Sequence, residues 1–348
     1  MRPLGKLYFN LWIRIYYYNN RYILRLKRKR AHKNVWKVIL LLTIPYILIR
    51  WVFLVCLEKL FIPSVRRANR REKGKVFQYE MAVVAIAKNE APYIKEWVEY
   101  HRLLGVTQFY FYDNESEDNT SDIVKPYVES GLLTYSLIKG KARQLDAYND
   151  ALVRYNDRCR YMAFIDLDEY IMPATPYRPI AEVVEEILEK HGKGASGIGI
   201  NWAIYGSSGF DKTPDGLITR NFNHRGRNRE VGNAHIKTIC NPRRVAFYIS
   251  PHYPLYKTGS YSVGENGERL YVWFCDKREY RKIRINHYYT KSKEQFLGKI
   301  SRGLGDRIGE YRQDMFNRYD LNEIEDNSML VYADALEKRM PPDTSFEN

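Results

Sequence analysis

From Met81 onward the chain alternates short β-branched apolar runs with stretches of helical period, and that cadence leaves few folds open. Met81-Ala-Val-Val-Ala-Ile-Ala reads as a strand buried on both faces, because apolar residues run on without polar alternation. Lys88-Asn-Glu-Ala-Pro then turns into a helix with Pro92 in its first turn, where no amide hydrogen is needed. Ile94, Trp97, Val98, His101 and Leu104 form its apolar stripe, and Gly105 ends it. A second strand is expected at Gln108-Phe-Tyr-Phe-Tyr and a helix from Thr120. A third strand follows at 132–138, a third helix at 143–155, and a fourth strand at Tyr161-Met-Ala-Phe-Ile. The expected fold class is therefore α/β, a mostly parallel Rossmann-like sheet with helices on both faces.

In such sheets ligands sit beyond the carboxyl ends of the strands. The polar residues collect there: Lys88, Asn89 and Glu90 after the first strand, Asp113 to Asp118 after the second, and Asp166 to Glu169 after the fourth. No G-x-G-x-x-G opens the first helix and no G-x-x-x-x-G-K-[ST] occurs, so dinucleotide and P-loop chemistry are poorly supported. Asp166 and Asp168 lie two apart at a strand end, a spacing that points both side chains the same way. With no Lys or Arg nearby in sequence, two converging carboxylates want a cation, and their hard oxygens favour Mn²⁺ or Mg²⁺. The bland reading is that they cap the next segment or pair with distant bases.

Four blocks carry a resemblance: Ala-Ile-Ala-Lys-Asn-Glu, Phe-Tyr-Asp-Asn-Glu-Ser-Glu-Asp, Arg-Gln-Leu-Asp-Ala-Tyr-Asn-Asp and Phe-Ile-Asp-Leu-Asp-Glu-Tyr. In this order, with the later Asn286-His-Tyr-Tyr-Thr-Lys-Ser, the chain resembles glycosyltransferase family 92, of GT-A fold and related to glycosyltransferase family 2. The likeness covers roughly residues 80–305. It implies a metal-dependent, inverting glycosyltransferase that moves a hexose, galactose for example, from a UDP-sugar donor to a surface-glycan acceptor in polysaccharide biosynthesis. By that resemblance Lys88, Asn89, Glu90, Asp113, Arg143 and Gln144 contact the donor nucleotide, and Asp166, Asp168 and His287 hold the metal. The catalytic base is open among Asp211, Glu230 and Glu169, with Asp211 preferred. A nucleotidyltransferase on a related scaffold and a non-catalytic membrane-bound scaffold are the competing readings.

Charge sets the N-terminal region apart. Residues 1–80 carry 19 Lys+Arg against 3 Asp+Glu, a net of +16, so the remainder of this +15 chain is close to neutral. A globally basic, nucleic-acid-binding fold is excluded by that distribution. The run Arg25 to Lys33 precedes an apolar stretch at 38–57, interrupted by Pro45 and Arg50 and followed by Arg66, Arg67, Arg70 and Arg71. A span needs roughly 20 apolar residues, and a central Arg costs about 2.5–3.5 kcal/mol. With both flanks basic, the positive-inside rule keeps both on the cytoplasmic side, so a segment lying in the membrane plane fits better than a span. The domain reading is 1–79 as a membrane-associating address, 80–310 as the glycosyltransferase domain and 311–348 as a C-terminal helical tail. Cys56, Cys159, Cys240 and Cys275 show no C-x-x-C pair, which suits a reducing compartment.

Overall fold

The computed structural model describes residues 14–19, 23, 35–192, 194–302 and 314–340. The basic run Arg25 to Lys33 and the chain beyond Met340 lie outside the described residues. Strands β1 (Tyr79–Ala87), β2 (Gln108–Asp113), β3 (Leu133–Leu137) and β4 (Cys159–Phe164) pair in parallel in the order β3-β2-β1-β4. β5 (Glu169–Pro173) follows directly, then β6 (Ala195–Ile204), β7 (His224–Arg225) and β8 (Ile236–Cys240). β8 runs antiparallel between β4 and β6 and so joins the second half of the sheet to the first. β9 (Val245–Ser250) and β10 (Tyr253–Tyr256) form a separate hairpin, while β11 (Tyr261–Val263) and β12 (Arg269–Leu270) extend the edge beyond β6. β13 (Ile283–His287) lies between β6 and β5, and β14 (Ile324–Glu325) pairs with β7.

The expected alternation of strands and helices holds through β4. β1 is buried on both faces, with Met81, Val83 and Ala85 in one core and Ala82 and Val84 in the other. The first core is covered by the helices Ala91–Leu103, Thr120–Glu129 and Ile180–His191, the second by Gln144–Tyr155 and the β9–β10 hairpin. The stripe Ile94, Trp97, Val98 and His101 is fully buried, as the period implies.

Described segments toward both termini pack on the same domain. Met329 and helix Leu330–Arg339, through Tyr332 and Leu336, enter the first core, so this part of the C-terminal stretch completes the domain. Near the N-terminus, Val35–Leu42 and Ile44–Lys73 are helical, with Pro45 in the first turn of the longer helix, where it interrupts nothing. Among the described residues no helix is long and apolar enough to cross a membrane. Arg50, which reads as an insertion penalty in the sequence, lines a cavity with Tyr17, Tyr18 and Glu58 between this helix and the domain.

Candidate active site

β2, β1 and β4 end side by side, so the loops after them share one rim. Asn89, in the left-handed region at φ 53°, fastens the first loop to the second. Its amide donates to Ser116 Oγ at 3.0 Å and its Oδ1 accepts the Glu117 amide at 2.7 Å. Asp113 is buried and holds the second loop, accepting the Ser116 amide at 2.9 Å and the Tyr135 hydroxyl. Asp118 caps the turn into helix Ala91–Leu103 by accepting the Ala91 amide at 3.0 Å. Lys88 and Glu90 are half-buried beside them. Asn114, part of a possible glycosylation sequence, is occupied in the same loop, donating to the carbonyls of Ile138 and Gly140.

The carboxylate pair has partners that the sequence did not bring near it. Asp166 Oδ1 accepts from Gln144 Nε2 at 2.6 Å and from the Tyr148 hydroxyl at 3.3 Å, while Oδ2 meets Lys237 Nζ at 2.8 Å. Lys237 stands on β8, its side chain almost wholly buried, and also lies 3.4 Å from Glu169 Oε2. Asp168 Oδ2 meets Lys299 Nζ at 2.5 Å, and Asp168 Oδ1 lies 3.4 Å from His287 Nε2. Lys299 comes from helix Lys293–Arg302, and His287 from the end of β13. Both carboxylates are thus paired with bases that lie far from them in sequence. Lys237 and Lys299 were missed because only the return of β8 and the packing of a late helix bring them here.

The electrostatics follow from burial and these contacts. Burial alone would raise the Asp168 carboxyl, but Lys299 and His287 outweigh it and hold the group well below its ordinary value. Burial would likewise strip the Lys237 proton, and Asp166 and Glu169 reverse this so that the ammonium persists. Glu169 is pushed up to about 8 by burial, Lys237 opposing and the two aspartates reinforcing the shift. His287 is lowered by burial, its ring packs 4.3 Å from that of Trp202, and its Nδ1 has no hydrogen-bond partner among the described residues.

Of the residues singled out in the sequence, Gln144 contacts Asp166 and His287 contacts Asp168, two neighbouring groups on the same turn after β4. Arg143 instead pairs with Asp146 at 2.9 Å, both half-exposed. Asp211 is exposed, and its carbonyl accepts the Glu294 amide at the start of the helix that carries Lys299. Glu169 is sealed, with Oε2 accepting the Asp166 amide at 3.0 Å. Arg225, in the basic stretch His224-Arg-Gly-Arg-Asn-Arg, is buried in a pair with Asp326 that ties β7 to the C-terminal stretch.

The cluster accommodates a divalent cation in part. Asp168 and His287 offer a carboxylate oxygen and an imidazole nitrogen at adjacent positions, a donor pair suited to Mn²⁺. Asp166 is already held by Gln144 and Lys237. Among the described residues no three His, Cys, Asp or Glu side chains converge, so donor phosphates and water would complete the coordination.

Comparison with known proteins places the chain in a family. A glycosyltransferase family 92 protein of Ricinus communis is 22% identical over 244 residues, covering 67% of this chain and 43% of that protein. A galactan beta-1,4-galactosyltransferase of Arabidopsis thaliana is 27% identical over 133 residues, 35% of this chain and 25% of the relative. The chain thus spans less than half the length of these relatives. Among solved structures, S. aureus TarS 1-349 in complex with UDP aligns at TM-score 0.32 and 17% identity, over 47% of each chain. Glucosyl-3-phosphoglycerate synthase from Mycobacterium tuberculosis, with Mn²⁺, UDP and glucosyl-3-phosphoglycerate, aligns at TM-score 0.25 and 18% identity, over 40% of this chain and 48% of that one. The family model of Glycosyltransferase family 92 matches residues 81–299, from the first buried residue of β1 to the lysine on Asp168, and the chain belongs to that family.

Proposed function

We propose that the protein transfers a hexose, with galactose the leading choice, from a UDP-sugar to a hydroxyl of a glycan acceptor, inverting the anomeric centre. The observation that carries this reading is the meeting of His287, from β13, with Asp168, from the end of β4, on the rim formed by three parallel strand ends. The Arabidopsis relatives named as galactan galactosyltransferases support galactose. Membership of the family favours glycosyl transfer over the nucleotidyl-transfer and non-catalytic alternatives.

Asp168 and His287 would hold Mn²⁺ or Mg²⁺, which when bound supplies Lewis-acid neutralisation of the departing diphosphate. Lys237 fixes Asp166 and Gln144 steadies it, so this carboxylate meets the donor already oriented. The loop fastened by Asn89 and Asp113 forms the nucleoside side of the rim. Lys299 carries a second positive charge to it on Asp168. The acceptor oxygen forms its bond to the anomeric carbon as the carbon–phosphate oxygen bond breaks, and its proton passes to a carboxylate. Sealed Glu169 cannot receive it, which leaves exposed Asp211 and half-buried Glu230, with Asp211 the assigned base.

Purified full-length protein incubated with individual UDP-sugars and Mn²⁺ should release UDP, faster when acceptor glycan is present. Asp168→Asn should lower turnover about 10²-fold or more with little change in thermal midpoint. Absence of UDP release from every UDP-sugar would sink the donor assignment. Undiminished turnover by Asp168→Asn in excess chelator would sink the metal assignment.

A further inference from the structure

The long N-terminal helix has two faces with different surroundings. Its inward face is fastened to the glycosyltransferase domain at several points. Ile47 is 2% exposed, Glu58 pairs with Arg269 and accepts from Tyr18, and Asn69 donates to the Ala195 carbonyl at 3.3 Å. Glu72 pairs with Arg243 at 3.0 Å and Arg244 at 2.7 Å. Gly259 comes so close that a Cβ there would lie 2.9 Å from the backbone carbon of Phe61. This is a docked element.

The outward face has the opposite character. Leu42, Ile49 and Leu60 are 74%, 71% and 74% exposed, and Ile44, Tyr46, Val52, Phe53 and Phe61 are exposed with them. The stripe 42, 45/46, 49, 52/53, 56 and 59/60 follows the helical period, so it is one continuous surface. Folding of the domain does not account for so large an apolar surface in contact with water. Beyond it along the same helix, Arg67 and Arg71 are exposed, and Arg66 and Arg70, exposed too, rim a cavity that the helix forms with the domain. Glu58 and Glu72 are the acidic residues of this helix, and both are drawn inward by arginines of the domain. An apolar half followed by a cationic half, with the acids withdrawn, matches acyl chains and anionic head groups.

We propose that the outward face of helix Ile44–Lys73, with the end of helix Val35–Leu42, lies in the interfacial plane of an anionic bilayer and holds the catalytic domain there. From Ile44 to Phe61 the apolar half extends about 27 Å along the surface at 1.5 Å per residue. Asn69 and Glu72 dock at the start of β6 and just past the end of antiparallel β8, the ends of the sheet opposite the Asp166 rim. The cationic half therefore anchors the end of the domain away from the carboxylates. Arg50, turned into the cavity with Glu58, does not oppose insertion of the outward face.

Flotation of the full-length chain tests this with vesicles of phosphatidylcholine alone and of phosphatidylcholine with phosphatidylglycerol. The protein should float with the mixed vesicles, and high salt should weaken binding without abolishing it. Ile49→Glu with Phe53→Glu should reduce flotation about tenfold or more while the circular dichroism spectrum and thermal midpoint stay as in the parent. Changing Arg66, Arg67, Arg70 and Arg71 to Gln should bring binding to mixed vesicles down to the level seen with phosphatidylcholine alone. Parent-like flotation of the folded double-Glu variant would overturn the proposal, as would failure of the parent chain to float. So would a stable dimer of the parent that the double-Glu variant converts to monomer, since the face would then seat a second copy.

Discussion

At the residue scale, the buried ammonium of Lys237 decides how the acidic rim is arranged. Asp166 was readable as half of a two-carboxylate motif, but its nearest cation is 71 positions later in the chain. Lys237→Met removes the charge and leaves Asp166 and Glu169 facing each other. Breaking a buried ion pair costs about 3–5 kcal/mol. Asp166 is one-third exposed and Glu169 can take a proton, so the low end, about 3 kcal/mol, is expected. Urea denaturation measures it. Lys237→Met should also raise the KM for donor more than it lowers kcat, because the lysine positions a binding group. A variant as stable as the parent would show that the ammonium is dispensable. Asp166→Ala is the less clean variant, since it strips Lys237 of its closest counter-ion.

At the element scale, helix Ile44–Lys73 is bound to the domain through its two acidic residues. Excision up to residue 75 would uncover Arg243, Arg244 and Arg269, whose carboxylate partners all lie on that helix. The docking is sensitive to a single atom at Gly259, where φ is +87° and the helix backbone fills the place of a Cβ. Gly259→Ala should therefore destabilise by about 1–3 kcal/mol through backbone strain alone, with more if the helix must shift. Limited proteolysis should then cut within residues 44–73 before the catalytic core. Equal protection of parent and variant would show that the helix tolerates the added methyl.

At the scale of the whole molecule, acid stability is set partly by an imidazole deep in the first core. His101 Nδ1 donates to the Trp97 carbonyl at 2.8 Å, and its Nε2 accepts the Ile171 amide at 3.3 Å. Burial lowers its pKa from 6.5 to about 3, and protonation would set two donors against each other at Nε2. A depressed folded-state pKa contributes stability that is present above 6.5 and lost as pH falls toward 3. This single group adds a slope of up to ~1.4 kcal/mol per pH unit across that window. Urea midpoints should fall on acidification from neutrality, and His101→Gln, less stable at neutral pH, should fall less steeply. Parallel pH profiles for the two proteins would refute the assignment.

Legible in the sequence alone were the strands and helices alternating through β4 and the polar rim at the strand ends, while the order β3-β2-β1-β4 comes from the tertiary pairing. Those elements are local: each strand is a contiguous apolar run, and each helix covers the sheet with a stripe of fixed period. The neighbouring carboxylates Asp166 and Asp168 were legible for the same reason, as was His287 once the resemblance pointed to a late histidine. Only the tertiary structure decided which cations meet those carboxylates, that Glu169 is sealed, and that Arg225 is buried in an ion pair. It also decided which side of the N-terminal helix turns to the domain, placing Arg50, Leu54 and Glu58 inward and Leu48, Ile49 and Leu60 outward. These outcomes depend on contacts between segments far apart in the chain. Neither hydrophobic period nor local propensity carries information about which distant charge will share a buried site, because burial makes the pairing obligatory without fixing the partner's position in sequence.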